Sequence, residues 1–188
     1  TNFIDNESAV TCCEYTFNGG TTWSSATVSG SLPNFTCTKT GITGSDGQVL
    51  SLNMRATSSG GTGTATAVGR TVDTAAPTTT NNAPVGWVGA DQTVTLTPSD
   101  GSGSGIASTQ YCTDTANSCT PATVGTSVAV SCPVGAVCET YIRYRSTDNV
   151  GNMEAVKSAL VRIDKAAPAA VSDLAAPSST TNSVTLSW

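Results

Sequence analysis

The chain has 188 residues and a formal net charge of −5, with charged residues making up 11% of it. Only 8 of the residues are Lys or Arg, which argues against a nucleic-acid partner because phosphate binding needs clustered basic side chains. The chain has no His, so it lacks the commonest general base, and we predict that it is not an enzyme. No apolar run approaches the roughly 20 residues of a membrane helix, so we expect no membrane span.

Short runs of alternating apolar and polar residues recur along the chain, separated by clusters of Gly and Ser. No window of a dozen residues shows apolar positions at helical spacing. Thr and Val suit pleated strands, while Gly and Ser suit turns. The sequence therefore predicts an all-β fold.

Similar stretches occur twice, which indicates a tandem repeat. Arg55-Ala-Thr-Ser precedes a linker with Asp73 and Ala75-Ala-Pro77, and Arg145-Ser-Thr-Asp148 precedes one with Asp164 and Ala166-Ala-Pro168. The linker aspartates, at positions 73 and 164, lie 91 residues apart, close to one β-sandwich domain of about 100 residues. The predicted organisation is a partial sandwich, a linker, a complete sandwich, a second linker and the first strands of a third module, at residues 1–72, 73–77, 78–164, 165–168 and 169–188.

The leading module is predicted to repeat the plan of the complete one but to begin incomplete. In its strand around residues 50–55, Leu52 and Met54 alternate in the phase of Ile142 and Tyr144. When residues 13–15 are aligned with residues 109–111, nothing upstream matches the strand Val94-Thr-Leu96. The leading module therefore lacks a counterpart of that strand.

Residues 169–188 start a third module. Val171-Ser-Asp-Leu174 and Ser183-Val-Thr-Leu-Ser-Trp188 resemble the opening two strands of a fibronectin type III domain. These extra strands complement the strand that the leading module lacks at its start, and two explanations stay open. The first is a longer multidomain polypeptide that was cut. The second is that trailing strands carrying Val184, Leu186 and Trp188 complete the leading module of the next copy, which predicts a head-to-tail filament.

The 7 cysteines favour an oxidising compartment. Four of them lie at intervals that do not match zinc ligands, so we predict local disulfides Cys112–Cys119 and Cys132–Cys138, with the crossed pairing as the alternative. Adjacent cysteines rarely bond each other. Cys37 is therefore expected to pair with Cys12 or Cys13, for which we take Cys13, and the remaining thiol is left for a partner outside the chain.

Three aspartates form a candidate calcium site. In a sandwich of this type the N-terminal linker and two of the turns emerge at one pole, so Asp73, Asp100 and Asp148 are expected to converge. With Asn149 or Asn152 and backbone carbonyls they would supply the six to eight oxygens that Ca²⁺ takes. The alternative is ordinary Asx-turn capping, in which each carboxylate accepts local backbone N–H bonds. No other cofactor is predicted.

Several motifs resemble the bacterial Ig-like repeats of large surface adhesins. They are Asp100-Gly-Ser-Gly-Ser-Gly-Ile106, Tyr111, Arg145-Ser-Thr-Asp-Asn-Val-Gly-Asn152, Ile163-Asp-Lys-Ala-Ala-Pro168 and Tyr15-Thr-Phe-Asn-Gly-Gly-Thr-Thr-Trp23. The resemblance implies Ig-like sandwiches in a structural segment of an extracellular filament, stalk or adhesin at the cell surface, with self-association or continuation in a longer chain and a surface glycan or protein ligand. The alternative is a non-catalytic spacer or binding region of a secreted polysaccharide-degrading enzyme.

Overall fold

The computed structural model describes residues 1–170 and 172–187, which form strands and turns and no helix. The predicted all-β fold is thereby confirmed. Nothing in the described residues is a helix long and apolar enough to cross a membrane. These residues divide into two compact units. One contains Thr1–Thr79, Pro98–Thr109 and Arg145–Ala155, and the other contains Thr80–Thr97, Gln110–Tyr144 and Val156–Trp188.

The first seven strands form one sheet within the first unit. Their order is β1-β4-β3-β2-β5-β6, and β7 also pairs with β5. Their core contains the buried residues Val10, Cys13, Phe35, Cys37 and Ala56. The strands are β1 (Asn2–Ile4), β2 (Cys12–Thr16), β3 (Ser24–Ser31), β4 (Asn34–Thr38), β5 (Val49–Ser58), β6 (Gly61–Thr64) and β7 (Val68–Thr71).

The next eight strands form two further sheets. One has the order β13-β10-β8 and the other the order β12-β11-β14-β15-β9. The strands are β8 (Thr78–Asn81), β9 (Trp87–Val88), β10 (Gln92–Ser99), β11 (Ile106–Asp114), β12 (Thr123–Val124), β13 (Ser127–Val130), β14 (Val137–Asp148) and β15 (Lys157–Asp164).

Side chains from both sheets meet in one apolar core, which makes this part of the chain a β-sandwich. Val94 and Leu96 of β10 pack in the same buried cluster as Ile142 and Tyr144 of β14. Every second residue at the end of β14 is buried, from Ile142 to Asp148, because successive side chains of a strand point to opposite faces. Ile142 is 0% exposed and Tyr144 3% exposed.

The last two strands, β16 (Ala175–Ser179) and β17 (Val184–Ser187), form an antiparallel hairpin. All of their residues are exposed. Among the described residues β17 pairs with β16 alone. Trp188, expected to take part in assembly, and Val171 lie outside the described residues.

Candidate functional site: an acidic pole

Asp148 is the most buried of the three candidate ligands, at 1% exposed. It ends β14, and its Oδ1 accepts hydrogen bonds from the backbone N–H groups of Val150, Gly151 and Asn152 at 2.7 to 2.9 Å. Its Oδ2 accepts one from Asn152 Nδ2 at 2.7 Å. Burial acts to raise the pKa of Asp148, but these hydrogen bonds outweigh it and hold the pKa below its usual value. The side chain is therefore a carboxylate at neutral pH.

Asp100 follows β10 and caps the glycine-rich turn. Its Oδ2 accepts a hydrogen bond from the N–H of Gly105 at 2.7 Å. Its Oδ1 is buried and has no hydrogen-bond partner among the described residues. A Cβ added at Gly103 would lie 2.6 Å from Asp100 Oδ2, so glycine at that position is what lets the turn close around the carboxylate. Asp100 thus keeps one oxygen that no group in the described residues satisfies.

Asp73 lies in the segment between β7 and β8. Its Oδ2 accepts a hydrogen bond from the N–H of Ser104 at 2.5 Å, and its Oδ1 accepts one from Ala75 at 3.2 Å. Its backbone carbonyl accepts the side-chain amide of Asn152 at 3.3 Å. Asp73 is therefore bound to both loops that carry the other two aspartates.

The structure brings the three predicted aspartates together. One carboxylate oxygen from each of Asp73, Asp100 and Asp148 lies within 4.8 Å of the other two. In the part of the chain that the structure describes, none of the three forms an ion pair with Lys or Arg. Like charges this close repel one another, so the cluster favours a cation. We call these three residues the acidic pole.

Asn149, the fourth predicted ligand, lies against the loop of Asp100. Its Nδ2 donates to the carbonyl of Ser104 at 2.8 Å, and its N–H donates to the carbonyl of Gly105 at 2.9 Å. These bonds join the turn after β14 to the turn after β10. The Asx-turn bonds are present, and the carboxylates also converge.

The sequence reasoning missed Asp46, which lies next to the acidic pole. Asp46 Oδ1 accepts hydrogen bonds from the N–H and hydroxyl of Thr74 at 2.7 and 3.3 Å. A cavity of about 230 Å³ is lined by Asp46, Val72, Ala75 and the turn of Asp100. Asp46-Gly47 is a turn signal that could have been noted. The contact between Asp46 and Thr74 depends on tertiary structure, so no local sequence pattern predicts it.

A buried polar network around Glu154 was also missed. The Glu154 carboxylate accepts the N–H of Thr79 at 3.0 Å and the N–H of Ser146 at 2.8 Å, and the Thr79 hydroxyl donates to it as well. The hydroxyls of Thr109 and Ser146 share a hydrogen bond of 2.8 Å. This network satisfies the buried polar groups beneath the end of β14, which is what an interior carboxylate requires.

Six of the seven cysteines form disulfides. The pairs are Cys13–Cys37, Cys112–Cys119 and Cys132–Cys138, with Cα–Cα distances of 5.7, 6.2 and 5.8 Å. Cys112–Cys119 and Cys132–Cys138 are the pairs that the spacing predicted, and of the two partners left open for Cys37 the structure has Cys13. Cys12 is an exposed free thiol.

Of the predicted assembly residues, Val184 is 60% and Leu186 53% exposed.

Comparison with solved structures shows a similarity in fold. No family model matches the chain, and no curated protein matches it at a significant level. A solved structure described as "Structures of Clostridium thermocellum CbhA fibronectin(III)-like modules" matches with a TM-score of 0.43 and 20% sequence identity. The match covers 86% of this chain and 83% of that chain. A similarity of this size carries no conclusion about function.

Proposed function

We propose that this chain is a non-catalytic structural segment of an extracellular filament, stalk or adhesin, and that its acidic pole binds Ca²⁺. The observation that carries the proposal is the convergence of Asp73, Asp100 and Asp148 within 4.8 Å. Asp73 belongs to the segment that joins β7 to β8, so a metal ion there would act on a connecting segment. This is a structural task rather than a catalytic one.

The disulfides support the extracellular part of the proposal. Three disulfides hold six of the 7 cysteines. Structural disulfides persist in oxidising compartments and are rare in the cytosol. The two short loops, closed over sequence separations of 7 and 6 residues, stiffen exposed turns where proteases would otherwise cut.

The chemistry of the pole supports Ca²⁺ as the ligand. Carboxylate oxygens are the ligands that hard divalent cations prefer, and Ca²⁺ accepts irregular sets of six to eight oxygens. The buried Oδ1 of Asp100 has no donor in the described residues, which is costly unless a ligand satisfies it. Asn149 or Asn152 and backbone carbonyls would supply further oxygens.

Binding would stiffen the connecting segment. The protein already holds residues 73–75 through Ser104, Asn152 and Asp46. A divalent ion shared by Asp73 and the two turns would add to these bonds and remove the repulsion among the carboxylates. A segment fixed in this way transmits force along the chain better than a flexible linker.

Isothermal titration with CaCl₂ tests the calcium site. We expect one site with a dissociation constant in the range of extracellular modules, about 10⁻⁴ to 10⁻³ M. Asp100→Asn keeps an oxygen for the N–H of Gly105 and is expected to weaken binding about tenfold or more, since it removes one ligand charge. The matched control is Asp173→Asn, an exposed residue outside the pole.

Two results would contradict the calcium site. One is a wild-type titration without heat and without a rise in melting temperature. The other is an Asp100→Asn variant that binds as the wild type does. Either would leave Asx-turn capping as the whole role of these aspartates.

Electron microscopy of the native material tests the structural role. Fibres with a regular axial repeat are the expected result. Isolated particles that instead bind an insoluble polysaccharide would favour the alternative, a spacer or binding region of a secreted polysaccharide-degrading enzyme.

A further inference from the structure

The buried polar network around Glu154 joins the same three parts of the chain as the acidic pole does. These parts, which make up the first unit, are residues 1–79, 98–109 and 145–155. Each part supplies one aspartate of the pole. Each part also supplies at least one member of the network, which consists of Thr79, Thr109, Ser146 and Glu154. Two separate sets of polar contacts therefore bring these parts together.

Glu154 accepts hydrogen bonds from two of these parts. Its side chain is buried, and the residue is 7% exposed. Its Oε2 accepts a bond from the N–H of Thr79 at 3.0 Å, and its Oε1 accepts one from the N–H of Ser146 at 2.8 Å. The Thr79 hydroxyl also donates to Oε1. One buried carboxylate thus binds both the start of β8 and the end of β14.

The hydroxyl groups extend the network to the third part. The Ser146 hydroxyl lies 2.6 Å from that of Thr79 and 2.8 Å from that of Thr109. Each hydroxyl has one proton, and Thr79 donates its own to Glu154, so Ser146 donates to Thr79. Thr109 in turn donates to Ser146. This chain of hydroxyls ends on the carboxylate, and hydrogen bonds in such a chain strengthen one another.

The network lies beside segments that carry aspartates of the pole. Ser146 and Glu154 flank the turn of Asp148, and the N–H of Glu154 donates to the carbonyl of Ser146 at 3.1 Å. Thr79 lies in β8, which follows the segment of Asp73. The bonds from Glu154 to Thr79 and Ser146 therefore hold the segment of Asp73 against the turn of Asp148.

We propose that Glu154 is a positioning residue of the acidic pole, which holds the segments of Asp73 and Asp148 in place through Thr79 and Ser146. This rests on the proposed calcium site and adds the residue that keeps its ligands together. Without a cation the three carboxylates of the pole repel one another. The backbone bonds that Asp148 accepts lie within its own turn, whereas those of Glu154 cross between segments and oppose this repulsion.

Thr79→Val and Thr79→Ser form a matched pair that tests the proposal without changing any charge. Val keeps nearly the same shape and removes the hydroxyl, whereas Ser keeps the hydroxyl and removes the methyl group. Both keep the N–H that bonds to Glu154. In titrations with CaCl₂ we expect Thr79→Val to weaken binding about tenfold, as loss of a group that holds metal ligands commonly does. Thr79→Ser should bind as the wild type does.

Thr16→Val is the control for a general loss of stability. Thr16 and Thr79 are both 2% exposed. The Thr16 hydroxyl bonds to Asn18 and to the N–H of Gly20, which belong neither to the network nor to the pole. Thr16→Val should therefore lower the melting temperature and leave the calcium affinity unchanged.

Hydrogen exchange measured by NMR without calcium reads the positioning itself. The N–H of Ser104 donates to Asp73 across two parts of the chain. Thr79→Val is expected to speed its exchange, because a looser segment breaks this bond more often. Thr79→Ser and Thr16→Val should leave it unchanged. Thr109→Val removes the hydroxyl farthest from Glu154, and it gives a milder form of the same test should Thr79→Val fail to fold.

Unchanged exchange at Ser104 in Thr79→Val overturns the proposal, as does a change of equal size in Thr16→Val. So does a wild-type calcium affinity in Thr79→Val. A wild-type chain that binds no calcium would defeat the proposed calcium site, and exchange at Ser104 alone would then decide whether Glu154 positions the aspartates.

Discussion

The leading segment, residues 1–72, and the middle segment, residues 78–164, contain two strands with the same alternation of apolar residues that are buried to different degrees. Leu52 and Met54 in β5 alternate as Ile142 and Tyr144 do in β14, but only the second pair is fully buried. A strand's own sequence decides which side chains share a face. Whether that face is buried depends on the neighbouring sheet. In the middle segment, β10 and β13 of that sheet cover the face of Ile142 and Tyr144.

The turns after these two strands also differ. β14 ends in Asp148, which accepts four hydrogen bonds from its turn. β5 ends in Ser58. The nearby acid in the leading segment is Asp5, and a hydrogen bond from the Ser58 hydroxyl, with others from the N–H groups of Ser8 and Glu7, lowers the pKa of Asp5 to about 2.

The largest expected effect on stability comes from truncating a side chain in the buried core. Ile142→Ala leaves a cavity in a closed core and should lower the free energy of unfolding by about 2–5 kcal/mol. Leu52→Ala truncates a half-buried side chain and should cost about 1–2 kcal/mol. Denaturant unfolding of both variants, each against the wild type, gives the two values. Equal losses would mean that the two faces are equally covered in solution.

The next largest expected effect on stability comes from removing a disulfide. Cys13–Cys37 spans 24 residues and Cys112–Cys119 spans 7, so in the loop-entropy account removing the first should cost about 3.5 kcal/mol and the second about 2.5 kcal/mol. Paired Cys→Ala variants compared by urea unfolding measure the difference. A larger loss from the short loop would show that native packing around Cys119, rather than unfolded-chain entropy, dominates.

The all-β fold and the local pairs Cys112–Cys119 and Cys132–Cys138 could be predicted because they follow from alternation, turn residues and spacing, which are local. The convergence of Asp73, Asp100 and Asp148 followed from the pole at which turns of a sandwich emerge. Asp46 and Glu154 could not be found in this way. Asp46 comes next to residue 74 through tertiary contacts, and a carboxylate that is buried among Thr79 and Ser146 looks, in sequence, like any loop glutamate.

A smaller effect concerns acid stability. The pKa of Asp148 is lower in the folded chain than its ordinary value, so its contribution to stability is fully present above the unfolded pKa of about 3.9 and is lost as pH falls through the folded pKa. Asp148→Asn should make the free energy of unfolding depend less on pH below about pH 4. Thermal unfolding from pH 6 to pH 2 checks this, with Asp173→Asn as the exposed control. An unchanged profile would contradict the assigned hydrogen bonds.

The smallest effect concerns an Arg that stacks on Trp in each segment. Arg55 lies 4.4 Å above the Trp23 ring and pairs with Glu14 at 2.6 Å, while Arg162 lies 5.8 Å from the Trp87 ring. Arg→Lys loses planar stacking, so Arg55→Lys should cost about 0.5–1 kcal/mol and Arg162→Lys less. Parallel urea titrations rank the two, and the reverse order would contradict the geometry.

Hydrogen exchange read by mass spectrometry tests most directly whether the leading segment repeats the plan of the middle segment with one face left open. Under conditions where the chain is monomeric, peptides that cover Leu52 and Met54 in β5 should exchange faster than peptides that cover Ile142 and Tyr144 in β14, because local opening costs less where fewer apolar contacts are broken. Equal protection of the two strands in the monomer would contradict the account.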